Sequence, residues 1–141
     1  MSGVAEVQIP IPSFSPNLWL AFFISAILSS TLRFYVDMCI GIAAFWMEDT
    51  FALNEGIDFF VMLFSGRFIP ILVFPVFIQS VLFFTPFRYM FSFPIEIIIG
   101  RLTSTQIVQG FFVQLVWVAF SLLLYQKMWT KGLVRYSAVG A

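Results

Sequence analysis

Charge is what this chain lacks most. Only 10% of its 141 residues are charged, seven basic and seven acidic, and there is no histidine and a single cysteine. A soluble globular domain is nearer a quarter charged. With no block of like charge, nucleic acid is not an expected partner. Without histidine, and with Cys39 alone, no disulfide framework and no His/Cys metal site can form, so no metal or cofactor is expected. Cys39 lies within an apolar run and reads as a small hydrophobe. No glycine-rich phosphate loop of the G-x-x-x-x-G-K-[ST] type occurs, and no catalytic constellation is placed, so an enzyme is not expected.

What the chain has instead is apolar surface. Hydrophobic residues make up 61% of it, and phenylalanine alone accounts for 20 positions. A domain of this size cannot hide that much apolar area in a core and still present a polar face to water. The fold class expected is therefore an all-α integral membrane protein, with the lipid bilayer as its solvent. The phenylalanines could line a path for an amphiphile, but lipid-facing and packing roles account for most of them.

Residues 1–17 carry Pro10, Pro12 and Pro16 and no basic residue. They read as an extended, extracytoplasmic segment and not as a cleavable signal. Residues 18–126 form the membrane domain. A spanning helix needs about 20 apolar residues. Leu18–Trp46 exceeds that and is expected as one element, with Asn17 as a candidate N-cap. A second span is expected over 51–68, shorter and polar in its first half. A third is expected over 104–126, capped by Thr103 or Ser104 with Gln106 following, and interrupted by Gln109, Gln114 and Ser121. Lys127, Trp129 and Lys131 read as an interfacial belt, and 127–141 as a cytoplasmic, partly ordered tail.

Between the last two spans lies a segment of about 70–100 that is too apolar for water and too proline-rich for one helix, with Pro70, Pro75, Pro86 and Pro94. Its apolar pieces, 71–74, 76–85, 87–93 and 95–100, are each too short to cross. Backbone freed by proline in lipid must find partners in protein or in a wet cavity. A re-entrant hairpin of short helices satisfies that condition. Its flanking spans would then run antiparallel. The positive-inside rule ties, with Arg67, Arg88 and Arg101 on one face and Lys127, Lys131 and Arg135 on the other. Engagement of arginines within the hairpin tilts the reading toward a cytoplasmic C-terminus.

Ordered blocks along the chain carry a resemblance. Ser65-Gly66, Pro70, Pro75, Gln79 and Pro86 resemble the signature following the fifth helix of ATP-binding-cassette (ABC) exporter permeases of the second type. One bacterial branch is closer still, through AFWMED (Ala44–Asp49), SGRFIP (Ser65–Pro70), PFRYMFSFPIEIIIGRL (Pro86–Leu102) and RYSAVG (Arg135–Gly140). The resemblance runs from about residue 6 to the C-terminus. It implies a multi-pass protein of the bacterial plasma (inner) membrane, with ATP hydrolysed by a separate ATPase subunit. The proline-broken segment would be an extracytoplasmic re-entrant pair capping the transport cavity. The match is to the C-terminal half of the family pattern, its fourth, fifth and sixth spans. The chain would therefore be a half-permease needing a second permease or its missing N-terminal half, or else a truncated, non-transporting fragment or a structural membrane protein.

The site residues remain open between two roles. Arg33 and Asp37, one helical turn apart, either line the translocation path or form a structural ion pair, and the ion pair is preferred. Glu96, with Arg88 upstream and Arg101 downstream, is read as a salt bridge or cap holding the hairpin to the next span in preference to a proton relay. Pro70, Pro75 and Pro86 are gate candidates. Glu48, Asp49 and Glu55, with Asp58 beside them, are either an ATPase contact or a solvated turn. Gly100 and Gly110 are expected close-packing positions. An intramembrane enzyme using Asp37 or Glu96 would lack a second catalytic group.

Overall fold

The computed structural model describes residues 15–47, 50–69 and 71–139, which are helical throughout their ordered elements. The opening run is one unbroken helix, α1 (Pro16–Ala43). Ser29-Ser30-Thr31 does not turn it, because Ser30 and Thr31 return their hydroxyls to the carbonyls of Ala26 and Ile27. Its N-cap is Ser15 and not Asn17. Pro16 takes the first helical position, where its missing N–H costs nothing.

Helix α2 (Phe51–Phe64) stops short of residue 68 and, at 14 residues, is only about 21 Å long. Gly66 then adopts φ 78°, and an added Cβ there would collide with Ser92 Oγ, so both conformation and space require glycine. Beyond it come a 3₁₀ turn (Ile71–Val73) and three short helices, α3 (Val76–Leu82), α4 (Pro86–Met90) and α5 (Ser92–Ile98). The breaks differ in detail from the proline positions. Pro75 caps α3 and Pro86 opens α4, but Pro94 lies inside the first turn of α5, and the chain breaks instead at Phe91. A proline in the first turn removes no helical hydrogen bond.

Gly100 is not a packing site. It follows α5 at φ 75°, with nothing within 4 Å of a built Cβ. The amides of Gly100 and Arg101 bond back to Ile97 O and Glu96 O, closing α5 in a Schellman turn.

The last helix, α6, runs Ser104–Val139, far past the expected end near residue 126. Thr103 and Gln106 cap it reciprocally, backbone N–H to side-chain oxygen in both directions. The segment after Tyr125 contains no proline and is rich in helix formers. Within it Gly132 lies against the Phe45 ring, where a Cβ would not fit.

Among the described residues, two helices, α1 and α6, are long and apolar enough to cross a membrane, and only 17% of the most apolar window of each is buried inside the chain. That separates them from the core helices of a soluble protein. The residues they turn inward include small and polar ones, Ser25 and Ser29 on α1 and Gly110, Gln114, Ser121 and Gly132 on α6, beside the apolar Leu32, Ile40 and Ile42 of α1. Their large residues, such as Leu20, Phe23, Ile27, Phe112 and Phe120, face outward. Apolar tails give no hydrophobic drive to helix pairing in lipid, so close approach and hydrogen bonding must supply it.

The two long helices are parallel. Ser25 meets Gln114, Tyr35 meets Tyr125, and Phe45 meets Gly132, so residue numbers rise together along both. The chain from residue 44 to 103 must therefore return along the length of the pair. Helix α2 makes part of that return and the broken segment the rest. The core, Leu32, Tyr89, Phe93 and Ile97, forms where α4 and α5 lodge against α1 and α6.

Phe93 is fully buried and lies across Gly110, packed edge-on to Phe111 at 5.8 Å. Gly110→Ala is expected to lower unfolding stability by about 2 kcal/mol through overpacking. Adding Phe93→Leu should recover part of that loss, measured by thermal unfolding in detergent. No loss in Gly110→Ala would contradict this packing.

Candidate functional site

At several breaks among the described residues of the proline-rich stretch, a carbonyl meets a side-chain donor. Ser65 O accepts from the Ser92 hydroxyl. Phe74 O, which precedes Pro75, accepts from Gln79 Nε2 at 2.7 Å. Phe83 O accepts from the Tyr89 hydroxyl at 2.9 Å, and Phe84 O from Trp117 Nε1 at 2.9 Å. Tyr89 O, at the end of α4, accepts from Ser29 Oγ at 2.7 Å and from Gln114 Nε2 at 3.2 Å. The last carbonyls of a helix have no partner within it, and in lipid no water replaces one.

Gln114 is the centre of this arrangement. Its Nε2 also donates to Ser25 O at 3.1 Å and Ser29 Oγ at 2.9 Å, and its Oε1 accepts from Ser25 Oγ at 3.2 Å. One fully buried amide thus ties α1, α4 and α6 together. Sequence reading noted Gln114 as an interruption and gave Ser25, Ser29 and Tyr89 no role. The available signal was an amide in mid-span, which must find partners wherever the helix is buried.

Arg88 and Glu96 form the second element. Arg88 is only 3% exposed. Its Nε and Nη2 lie 3.3 and 2.5 Å from the two Glu96 oxygens, and its guanidinium sits 3.9 Å from the centre of the Phe83 ring. Glu96 therefore joins α5 to α4, within the broken segment, and not to the following helix as expected. Arg88 lines two open cavities, and Glu96 one of them. One, about 550 Å³, has Gln79, Arg88, Ser92, Glu96, Arg101 and Gln106 as its polar lining. The other, about 630 Å³, lies against Tyr89, Gln109, Phe112 and Val113.

Arg33 and Asp37 do pair, with Arg33 Nε 3.0 Å from Asp37 Oδ2, and Arg33 Nη2 also reaches Asp58 Oδ1 at 2.5 Å. Asp58 is thereby drawn from the acidic cluster to link α2 with α1. Glu55 stays exposed on α2. Glu48, Asp49 and Pro70 lie outside the described residues. No ion pair among the described residues joins the Arg33 group to the Arg88 group. Pro75 and Pro86 mark the starts of α3 and α4 and stand outside both groups.

Removing one partner of a buried ion pair leaves an uncompensated charge, so Glu96→Gln should cost about 3 kcal/mol. The double change Arg88→Met with Glu96→Leu should cost less than Glu96→Gln alone, in thermal unfolding. Full stability of Glu96→Gln would remove the ion-pair role.

Comparison with known proteins agrees with the geometry. No curated protein and no solved structure matches the chain. The family model described as ABC-2 family transporter protein matches residues 4–140. Members of this family are membrane transport components, not enzymes themselves, and generally work with an ATP-binding ATPase subunit. With two long apolar helices and a match spanning nearly its whole length, the chain is an integral membrane protein and belongs to the ABC-2 transporter family.

Proposed function

We propose that the chain is the C-terminal half of the permease of an ABC exporter in a bacterial inner membrane. Family membership over residues 4–140 is the observation that carries this reading. In it, α1, α2 and α6 are multi-pass spans and the broken segment, about 70–100, is a re-entrant outer gate. A separate ATPase subunit hydrolyses ATP, and a second permease or the N-terminal half completes the translocation path. The half-permease reading rests on the quoted sequence blocks, which resemble the second half of the family pattern.

The geometry lends support in one respect. The broken segment is held between two parallel helices by side-chain hydrogen bonds and braced from within by one buried ion pair. Tilting α1 against α6 would strain Gln114 and so shift α4 directly. Pro70, Pro75 and Pro86 would set the gate's bends. Arg33, Asp37 and Glu96 would hold its supports, and Glu48, Asp49 and Glu55 would meet the ATPase at the turn between α1 and α2.

Affinity purification of the tagged chain from its native membrane should bring down an ABC ATPase and a further permease chain, with vanadate-sensitive ATP hydrolysis after reconstitution. Pro70→Ala and Pro86→Ala should insert normally yet lower ATP-driven transport several-fold in that complex. Purification of the chain alone, without ATPase activity, would overturn the reading. Unimpaired transport in both proline variants would remove the gate role.

A further inference from the structure

The 550 Å³ cavity carries an unbalanced charge. Arg88, Arg101 and Glu96 line it. Glu96 is committed to Arg88, while Arg101 enters no ion pair among the described residues. Arg67 enters none either, and its guanidinium stands 5.6 Å from the centre of the Phe91 ring, which forms part of the same wall. The wall thus holds two guanidinium groups against one carboxylate. Arg101 is exposed, and its planar fork matches the oxygens of phosphate and carboxylate.

The remainder of the lining is hydrophobic. Phe83, Phe91 and Ile95 line the cavity and are exposed despite their size. Gln106 lies at the rim, its Oε1 used to cap Thr103 while its amide nitrogen takes no part in that cap. The volume falls within the range of small-ligand sites, about 300–1,000 Å³. Cationic groups beside an open apolar wall are complementary to a molecule with an anionic head and a hydrocarbon chain.

We infer that this cavity binds the anionic head of an amphiphile, a phosphate or carboxylate on an acyl chain. Arg101 is its ion-pair partner, Gln106 a hydrogen-bond donor, and Phe91 and Ile95 the surface for the chain. Arg88 is held by Glu96 as the fixed back wall. The inference stands on the cavity alone and does not require that the chain transport anything. The amphiphile can be a resident bilayer lipid or a passing cargo, since both present the same chemistry.

The test uses the full chain in phosphatidylcholine vesicles. Electron paramagnetic resonance measures how strongly it immobilises spin-labelled phosphatidylglycerol relative to spin-labelled phosphatidylcholine. The wild type should prefer the anionic probe about tenfold, the scale of one charged hydrogen-bonded contact. Arg101→Lys should keep most of that preference, and Arg101→Gln should reduce it to about twofold or less. Lys127→Gln, on the far part of α6, should leave it unchanged. Absence of preference in the wild type, an unchanged preference in Arg101→Gln, or an equal fall in Lys127→Gln would overturn the assignment. In the complete complex, release of the probe on adding ATP supports the site and identifies cargo. Retention through ATP turnover supports it and identifies resident lipid. If no ATPase complex exists, the vesicle measurement still decides the site.

Discussion

The constraint on which this fold depends is the cost of a bare carbonyl in lipid. In the proposed re-entrant arrangement, a chain broken by Pro75, Pro86 and the turn at Phe91 frees backbone groups where no water can receive them. The structure answers with side chains. Ser92, Gln79, Tyr89, Trp117, Ser29 and Gln114 each give a hydrogen to a carbonyl at a break. In an apolar chain these donors are scarce, and their placement explains why α4 and α5 lie where they do. Tyr89 shows the economy of the arrangement. Its hydroxyl serves Phe83 while its own carbonyl is held by α1 and α6, so one residue links two breaks.

The packing inverts that of a soluble protein. The α1–α6 seam draws on serine, glycine and glutamine beside Leu32 and the Tyr35–Tyr125 contact, and many of the large hydrophobic residues lie outside. This seam lets the helices approach closely, and it leaves room for Phe93 to lie over Gly110. Removing Gln114 would therefore act on three elements at once. Arg88 and Glu96 complete the support by neutralising one another inside the broken segment. They do not anchor it outward.

Much of this was legible from composition. The scarcity of charge and the runs at 18–46 and 104–126 are enough to specify membrane helices, and crowded prolines specify broken backbone. The ion pair of Arg33 with Asp37 follows from helical spacing. Less was legible where the outcome depends on tertiary neighbours. The part of Asp58 depends on α2 lying beside α1, and spacing along one helix cannot reveal it. Gly110 and Gly100 look alike in sequence, yet one receives an aromatic ring and the other forms a left-handed turn. The continuation of α6 past Tyr125 reflects helix propensity and the contact of Phe45 with Gly132, where hydropathy alone suggested a tail.

The central claim is that α1 and α6 cross the membrane in parallel and that the chain between them returns across it. Accessibility of single cysteines to a membrane-impermeant maleimide, in a Cys39→Ala background, tests it most directly. Ser15→Cys and Arg101→Cys should react from one face, and Met47→Cys and Lys131→Cys from the other. Reaction of Met47→Cys and Arg101→Cys from the same face would contradict the account, because the intervening chain would then never have crossed back.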